Sequence, residues 1–334
     1  MLTRRGLVLS GSAFSVAVAG GLAHAQSSPK VTIASPPNPH VFPLLLAMHL
    51  DPSLPVTLRP VTESKDADAL LASGEAQGVL AMSYIGARKR LTGAAPDLRF
   101  VAPGYWRGFF QVCNGEVGSL GDLAGKDIVI SGPAAPGRGG GGDVLFRAVA
   151  RLAGLDPDRD FRIRYLPMLE GVDAILKKEA IAITLPSPGS TGLMTRLGTS
   201  GAASIIDLQT AFDGDSTFGK GQLPLGGLHL TERAMRDKQL APVLARLEQG
   251  YLAAGESLMR DPSSQAPIVA KAFQQAFQSI GAPQPMPGVL IRAIASGDLV
   301  FGPGPGLGAV RAGTISWLER VLDHRIAIEF VAPL

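Results

Sequence analysis

The sequence predicts an α/β protein of two lobes. Short β-branched runs alternate with segments of helical length through residue 207, the pattern of strands covered by helices. The chain has 334 residues, beyond the roughly 250–300 at which a single core stops growing. Its composition, 46% hydrophobic and 18% charged, is that of a globular protein. The 41 Gly and 26 Pro show no tripeptide period, so they mark turns.

Residues 1–25 read MLTRRGLVLSGSAFSVAVAGGLAHA. A cationic start at Arg4-Arg5, an apolar stretch over 7–22 and Ala23-His24-Ala25 before Gln26 follow the order of a secretory leader. Ser and Gly dilute the stretch, which falls short of the ~20 apolar residues of a membrane span. Thr3-Arg4-Arg5-Gly6-Leu7-Val8 also resembles the twin-arginine signal, with Leu7 where Phe is usual, so both export routes stand. The expectation is a cleaved leader and a soluble periplasmic chain; the alternative is an uncleaved anchor.

The mature chain opens with a strand at 30–34, ended by the turn cluster Ser35-Pro36-Pro37-Asn38-Pro39. A helix over 42–50 stops at Asp51-Pro52, and 56–61 is a second strand. Ser64 can cap a helix running through Leu71, with Gly74 as its left-handed terminator. A third strand at 78–82 leads into a helix from Ser83-Tyr84 to the basic run Arg88-Lys89-Arg90. This βαβαβα order predicts a parallel sheet. Strands at 98–102 and 109–113 flank Gly104-Tyr105-Trp106-Arg107-Gly108. A second α/β unit then follows, with strands at 127–131, 161–166, 180–185 and 203–207. Helices are expected over 143–153, up to Lys178 and from Pro188. Beyond Leu230 the chain reads as mostly helical: Leu240, Val243, Leu244, Leu247 and Tyr251 recur at i, i+3, i+4 spacing.

Charge and cysteine exclude several classes. Lys+Arg 31 against Asp+Glu 28 becomes 29 against 28 once Arg4 and Arg5 leave with the leader, a balance of +1. A nucleic-acid binder needs a basic stripe to displace counterions, and none remains. The single Cys113 excludes an intramolecular disulfide and a Cys-built zinc site. The five His show no metal-ligating spacing, so neither metal nor cofactor is expected. Asp213-Gly214-Asp215-Ser216 lacks the acceptors of a calcium loop and reads as a surface turn.

Three motifs carry a resemblance. DALLASGEAQ at 68–77 is similar to an "ALLAGEAD" helix end, LGDLAGKDIVI at 120–130 to "LADLKGKKIAV", and LAGLDPDRD at 152–160 to "AGLDPDKDV". In this order and spacing they resemble the solute-binding proteins of ABC importers in the nitrate, sulfonate and taurine group, which includes thiamine-precursor binders. Gln77 departs from the usual Asp, and Lys178-Glu179-Ala180 from "GEVDA". The resemblance implies the periplasmic binding protein type II fold, two α/β lobes with a hinge and a central ligand cleft. The lobes would be 26–104 with 225–334, and 105–224. Hinges are expected near 103–108 and 224–228. It further implies a monomer that captures a small anionic or polar heteroaromatic solute for an inner-membrane ABC permease with its ATPase. Two alternatives stand beside this: an enzyme on the same scaffold, of desulfinase or pyrimidine-precursor synthase type, and a ligand-sensing partner of a membrane receptor.

Ligand contacts are expected at strand ends and helix starts, where open α/β sheets bind their ligands. The stretch SGPAAPGRGGGGD at 131–143 is the first candidate. Its GxGxxG lacks the acid of a dinucleotide site one strand later, and Arg138-Gly139 stands where a Walker A motif has Lys and Ser/Thr. The preferred reading is a backbone-donor pocket at Gly137, Gly139 and Gly140, with Arg138 as a clamp for an anion. A flexible loop without contacts is the alternative. Ser35, Asn38 and His40 in the first loop, Ser83 and Tyr84 at a helix start, and Ser187 after a later strand complete the polar candidates. For the first loop a proline-stiffened surface turn stands as alternative, and for Tyr84 a packing role. Trp106 and Arg107 in the first crossing would supply an aromatic wall and a cation. No catalytic residue is expected. Cys113 reads as a buried inert thiol, and the first loop has no Cys.

Overall fold

The computed structural model describes residues 29–132, 137–198, 203–214, 218, 221–302, 307–332 and 334. The expected leader, residues 133–136 of the glycine-rich stretch and Asp215-Ser216 lie outside them. The chain runs β1 (Val31–Ser35), α1 (Phe42–Leu50), β2 (Val56–Pro60), α2 (Ala67–Ser73), β3 (Gly78–Met82), α3 (Ser83–Leu91) and β4 (Leu98–Arg107). It continues through β5 (Phe109–Asn114), β6 (Asp127–Gly132), α4 (Gly141–Leu152), β7 (Arg162–Pro167), α5 (Met168–Leu176), β8 (Ala182–Pro186), α6 (Gly189–Gly198) and β9 (Ala203–Asp207). The remainder is β10 (Gly226–Thr231), α7 (Glu232–Arg236), α8 (Ala241–Arg260), α9 (Pro262–Phe277), α10 (Pro287–Ala295), β11 (Val300–Phe301) and α11 (Leu307–Leu322).

Two sheets form, in the orders β11-β4-β10-β3-β1-β2 and β7-β6-β8-β5-β9. Each has a parallel heart, β2-β1-β3 and β7-β6-β8. Neither is wholly parallel, contrary to the expectation from the βα alternation. β10 lies antiparallel to both β3 and β4, and β5 antiparallel to β8 and β9. A strand arriving from the other unit lacks the helical crossover that reverses direction before a parallel strand, so it enters against the run. β10 also differs from the expectation of a plain connecting segment. Its glycines permit the fit: a Cβ on Gly227 would lie 2.0 Å from the Ala102 carbonyl oxygen.

The two connections between the units run side by side. β4 passes into β5 through Gly108, and residues 104–107 extend that strand because β10 and β11 pair with it. The return segment pairs Gly226 with Tyr105, and the Leu223 N–H donates to the Trp106 carbonyl at 2.9 Å. The principal apolar cluster is continuous through this junction, from Val31 and Leu80 to Phe146 and Ala182. α11 packs against both α3 and α4. Its fully buried Trp317 meets Tyr84 of the first unit edge-on at 5.9 Å and Phe212 of the second at 6.3 Å. Local signals place the rest. α2 ends on Gly74, whose φ of 82° is the left-handed cap. α4 turns Leu145, Phe146, Ala148 and Val149 inward.

Candidate functional site

Between the units lies a cavity of about 290 Å³. Its lining begins at carboxyl ends of strands from both sheets: Pro36 and Asn38 beyond β1, Thr62 and Glu63 beyond β2, Met82 on β3, Ser131 and Gly132 on β6, and Pro186 on β8. Parallel strands flanking the point where strand order reverses leave such a crevice at their carboxyl ends. One wall is α3 with its C-cap: Ile85, Arg88 and Lys89 of the helix and Thr92 just beyond it, one face at i, i+3, i+4 and i+7. The opposite wall is the glycine segment 137–142 at the start of α4.

That segment is built for close approach. Gly139 has φ +69°, a left-handed conformation costly to side-chain-bearing residues. A Cβ on Gly137 would lie 2.5 Å from the Ser131 carbonyl carbon. Asp143, buried in the first turn of α4, accepts the Gly139 N–H at 2.7 Å and the Arg147 guanidinium at 2.8 Å. This carboxylate pins the loop. Amides of the first helical turn have no intrahelical acceptor, and they carry the positive end of the helix dipole.

Charge follows the same direction. The lining holds four cations, Lys65, Arg88, Lys89 and Arg138, against the acids Glu63 and Asp68. Lys65 pairs with Glu63 at 2.6 Å, and Lys89 pairs with Asp68. Burial holds Lys89 below the usual lysine range while Asp68 pulls it back. Among the described residues Arg88 and Arg138 have no carboxylate partner. Arg88 donates instead to the Gly139 carbonyl, and Arg138 stands 5.6 Å from the centre of the Tyr165 ring. The cavity therefore favours an anion, with Phe109, Met82 and Ile85 offering apolar surface beside the charge.

Of the residues singled out in the sequence, Asn38, Gly137, Arg138, Gly139 and Gly140 line this cavity together. Ser187 opens on a neighbouring cavity instead. The others do not line the cavity: their polar groups are bonded elsewhere or, for His40, the ring is enclosed. Ser35 is buried with its hydroxyl donating to the Pro36 carbonyl at 2.8 Å. Ser83 ties α3 to the return crossing, donating to the Pro224 carbonyl at 2.6 Å. Tyr84 is buried and donates to the Gly141 carbonyl at 2.9 Å. Trp106 is buried with its Nε1 donating to Gly302 at 2.8 Å. Arg107 pairs with Asp207 at 2.6 Å. His40 is fully enclosed, its ring pushed down to about 3 by burial and by His229.

Sequence reading missed the loop after β2, with Thr62, Glu63 and Lys65, the first turn of α2 with Asp68, and the α3 face. The signal for the latter was present in the spacing of Ile85, Arg88, Lys89 and Thr92. Cys113 is buried in β5, its thiol pushed up to about 12 by burial. Among the described residues no group of three His, Cys, Asp or Glu is placed to hold a metal ion, and no helix is long and apolar enough to cross a membrane.

No protein-family profile and no curated protein matches the chain. Solved structures do. The ligand-binding component of an ABC-type import system from Staphylococcus aureus, described with zinc bound, superposes with TM-score 0.64 at 16% identity over 91% of this chain and 96% of its own. The alkanesulfonate-binding protein from Xanthomonas axonopodis pv. citri, bound to MOPS, gives 0.60 at 18% identity over 92% and 100%. The periplasmic aliphatic sulphonate binding protein from Escherichia coli gives 0.60 at 17% over 90% and 96%. At such identities the likeness speaks for architecture, and the architecture agrees with the sheet orders and paired crossings: the chain has the periplasmic binding protein fold.

Proposed function

We propose that the chain is an exported solute-binding protein that closes its two α/β units around a small anionic or polar heteroaromatic solute. It would pass that solute as a monomer to a membrane permease with its ATPase. The observation that carries this reading is a cavity lined from both sheets, with a surplus of guanidinium groups facing a glycine-built helix start. A solute there touches both units, so it binds the apposed arrangement better than the separated one and draws the equilibrium toward it. Asn38, Arg138 and the backbone of the glycine segment 137–142 are the proposed ligand contacts, the segment acting through amides other than those of Gly139 and Gly140, which donate to Asp143 and to the Gly137 carbonyl. Tyr84, Ser83, Trp106 and Arg107 hold the walls and the hinge. Three of the structural neighbours are described as import or sulfonate-binding components, which puts short sulfonates first among the candidates.

The test is native mass spectrometry of protein purified from its own periplasm, followed by calorimetry with sulfonates, nitrate, carboxylates and pyrimidines. A bound anion is expected, weakened about tenfold or more in Arg138→Ala, as loss of a charge-assisted hydrogen bond costs about 1.5–3 kcal/mol. No retained solute and no binding heat from any of these compounds would overturn the reading.

A further inference from the structure

A second cavity, about 500 Å³, lies beside the first across the Pro36–Pro39 loop and Pro186. The loop's residues alternate between them: Pro36 and Asn38 line the first, Pro37 and Pro39 the second. The second has a different chemistry. Phe42, Phe273, Met286 and Val289 come from the first unit and its helical extension, Met168, Val172 and Leu193 from the second. The described lining contains no carboxylate and two guanidinium groups, Arg196 on α6 and Arg292 on α10. Leu169 and Met286, both lining it, are 61% and 68% exposed, the two most exposed large apolar side chains among the described residues. Two such side chains from opposite units at one mouth leave apolar surface that an occupant would cover. The volume falls within the roughly 300–1,000 Å³ of small-molecule sites.

We propose that this chamber is a second binding site, for an apolar-bodied monocarboxylate of medium alkyl chain or fused-ring aryl type. The body lies against Phe42, Met168, Leu169 and Met286. The carboxylate meets Arg292, which has no carboxylate partner among the described residues, and a planar two-oxygen group suits its guanidinium fork. The site goes beyond the proposed solute role of the first cavity and does not depend on it.

The experiment is calorimetry of the full mature chain with octanoate, with acetate and 1-octanol as arms that keep one half of the chemistry each. Octanoate is expected to bind at least tenfold more tightly than either arm. Met286→Glu, at an exposed position the fold tolerates, is expected to weaken octanoate at least tenfold, and Arg292→Ala several-fold. Equal octanoate affinity in wild type, Met286→Glu and Arg292→Ala would overturn the proposal. So would loss of octanoate binding in Arg138→Ala alone, which would place it in the first cavity. A concentration-dependent dimer that Met286→Glu disperses, with no octanoate heat, would assign the apolar mouth to a second copy and likewise overturn it. Failure of the anion screen at the first cavity leaves the octanoate result unaffected, so the two readings fail separately.

Discussion

Lowering the pH from 7.5 to 5 unloads a specific part of the fold. His40 and His229 are fully buried, and burial pushes each ring from 6.5 down to about 3. The His229 Nδ1 is 3.1 Å from the Gly227 carbonyl, and backbone contacts with Val79 for His229 and Leu80 for His40 favour the charged rings without offsetting burial. The folded chain therefore keeps both rings neutral, whereas the unfolded chain takes up protons near 6.5. A base whose folded value is depressed contributes stability that is complete above the unfolded value and lost as pH falls below it. The slope approaches about 1.4 kcal/mol per pH unit per ring. At pH 5 the loss is about 2 kcal/mol for each histidine and about 4 kcal/mol for the pair, a large share of the 5–15 kcal/mol typical of a folded domain. Urea unfolding at half-unit steps measures it. Asp207 and Glu248, held above the usual carboxylate range by burial, act with the opposite sign. The decisive quantity is thus the difference in slope between wild type and the double variant His40→Gln/His229→Gln. Each single variant should account for about half of that difference between pH 6.5 and 5. Identical slopes in wild type and the double variant would refute the assignment.

Two further substitutions probe the packing around the site. Gly86→Ala on α3 places a Cβ 2.3 Å from the His229 Nε2; it should cost about 1–3 kcal/mol by overpacking, and thermal unfolding in a His229→Ala background should show most of that cost relieved. Gly137→Ala drives a Cβ into the Ser131–Gly132 backbone, so calorimetry should show weakened anion binding at the first cavity together with a lower melting temperature.

The sequence disclosed the parts governed by local rules and hid those governed by contact. Strands β1, β3 and β9 fall where short apolar and β-branched runs place them, and Gly74 caps its helix as its position before β3 implies. The glycine segment was legible because Gly137, Gly139 and Gly140 are concentrated at a strand-to-helix junction, where bare amides have a use. His40 read as a binding-loop donor because position in the chain says where a residue sits and nothing of which way its ring points. Trp106 misled in the same way: its place at the crossing is as expected, but Gly302, nearly two hundred residues later, takes its N–H. β10 escaped notice because its glycines lower strand propensity, and only the approach of Ala102 and Ala81 explains them. The second cavity was invisible for a related reason. Its walls come from α5, α6, α9 and α10, which the helical periodicity places in the chain without saying which faces meet.

The apposition of the two units has its own fastening, separate from any solute. Tyr84 of α3 donates to the Gly141 carbonyl across the cleft, and Arg88 donates to Gly139. Neither bond survives separation of the units. Tyr84→Phe deletes the first while keeping the ring against Trp317. A neutral hydrogen bond is worth about 0.5–1.5 kcal/mol net, so the population of separated units should rise roughly 2- to 10-fold. Hydrogen exchange reads this without a ligand. The Val144 amide, bonded to the Gly140 carbonyl at 3.0 Å, lies in the first turn of α4, which Tyr84 secures through Gly141, and its exchange should accelerate by that factor. Amides of β1, within the first sheet, open only with that sheet and should keep their rates. Uniform acceleration in both places would mean general destabilisation, and unchanged exchange at Val144 would mean that the phenol does not fasten the units. If only Val144 accelerates, apparent solute affinity must fall in step with the apposed fraction, because the cavity has both of its walls only in that arrangement.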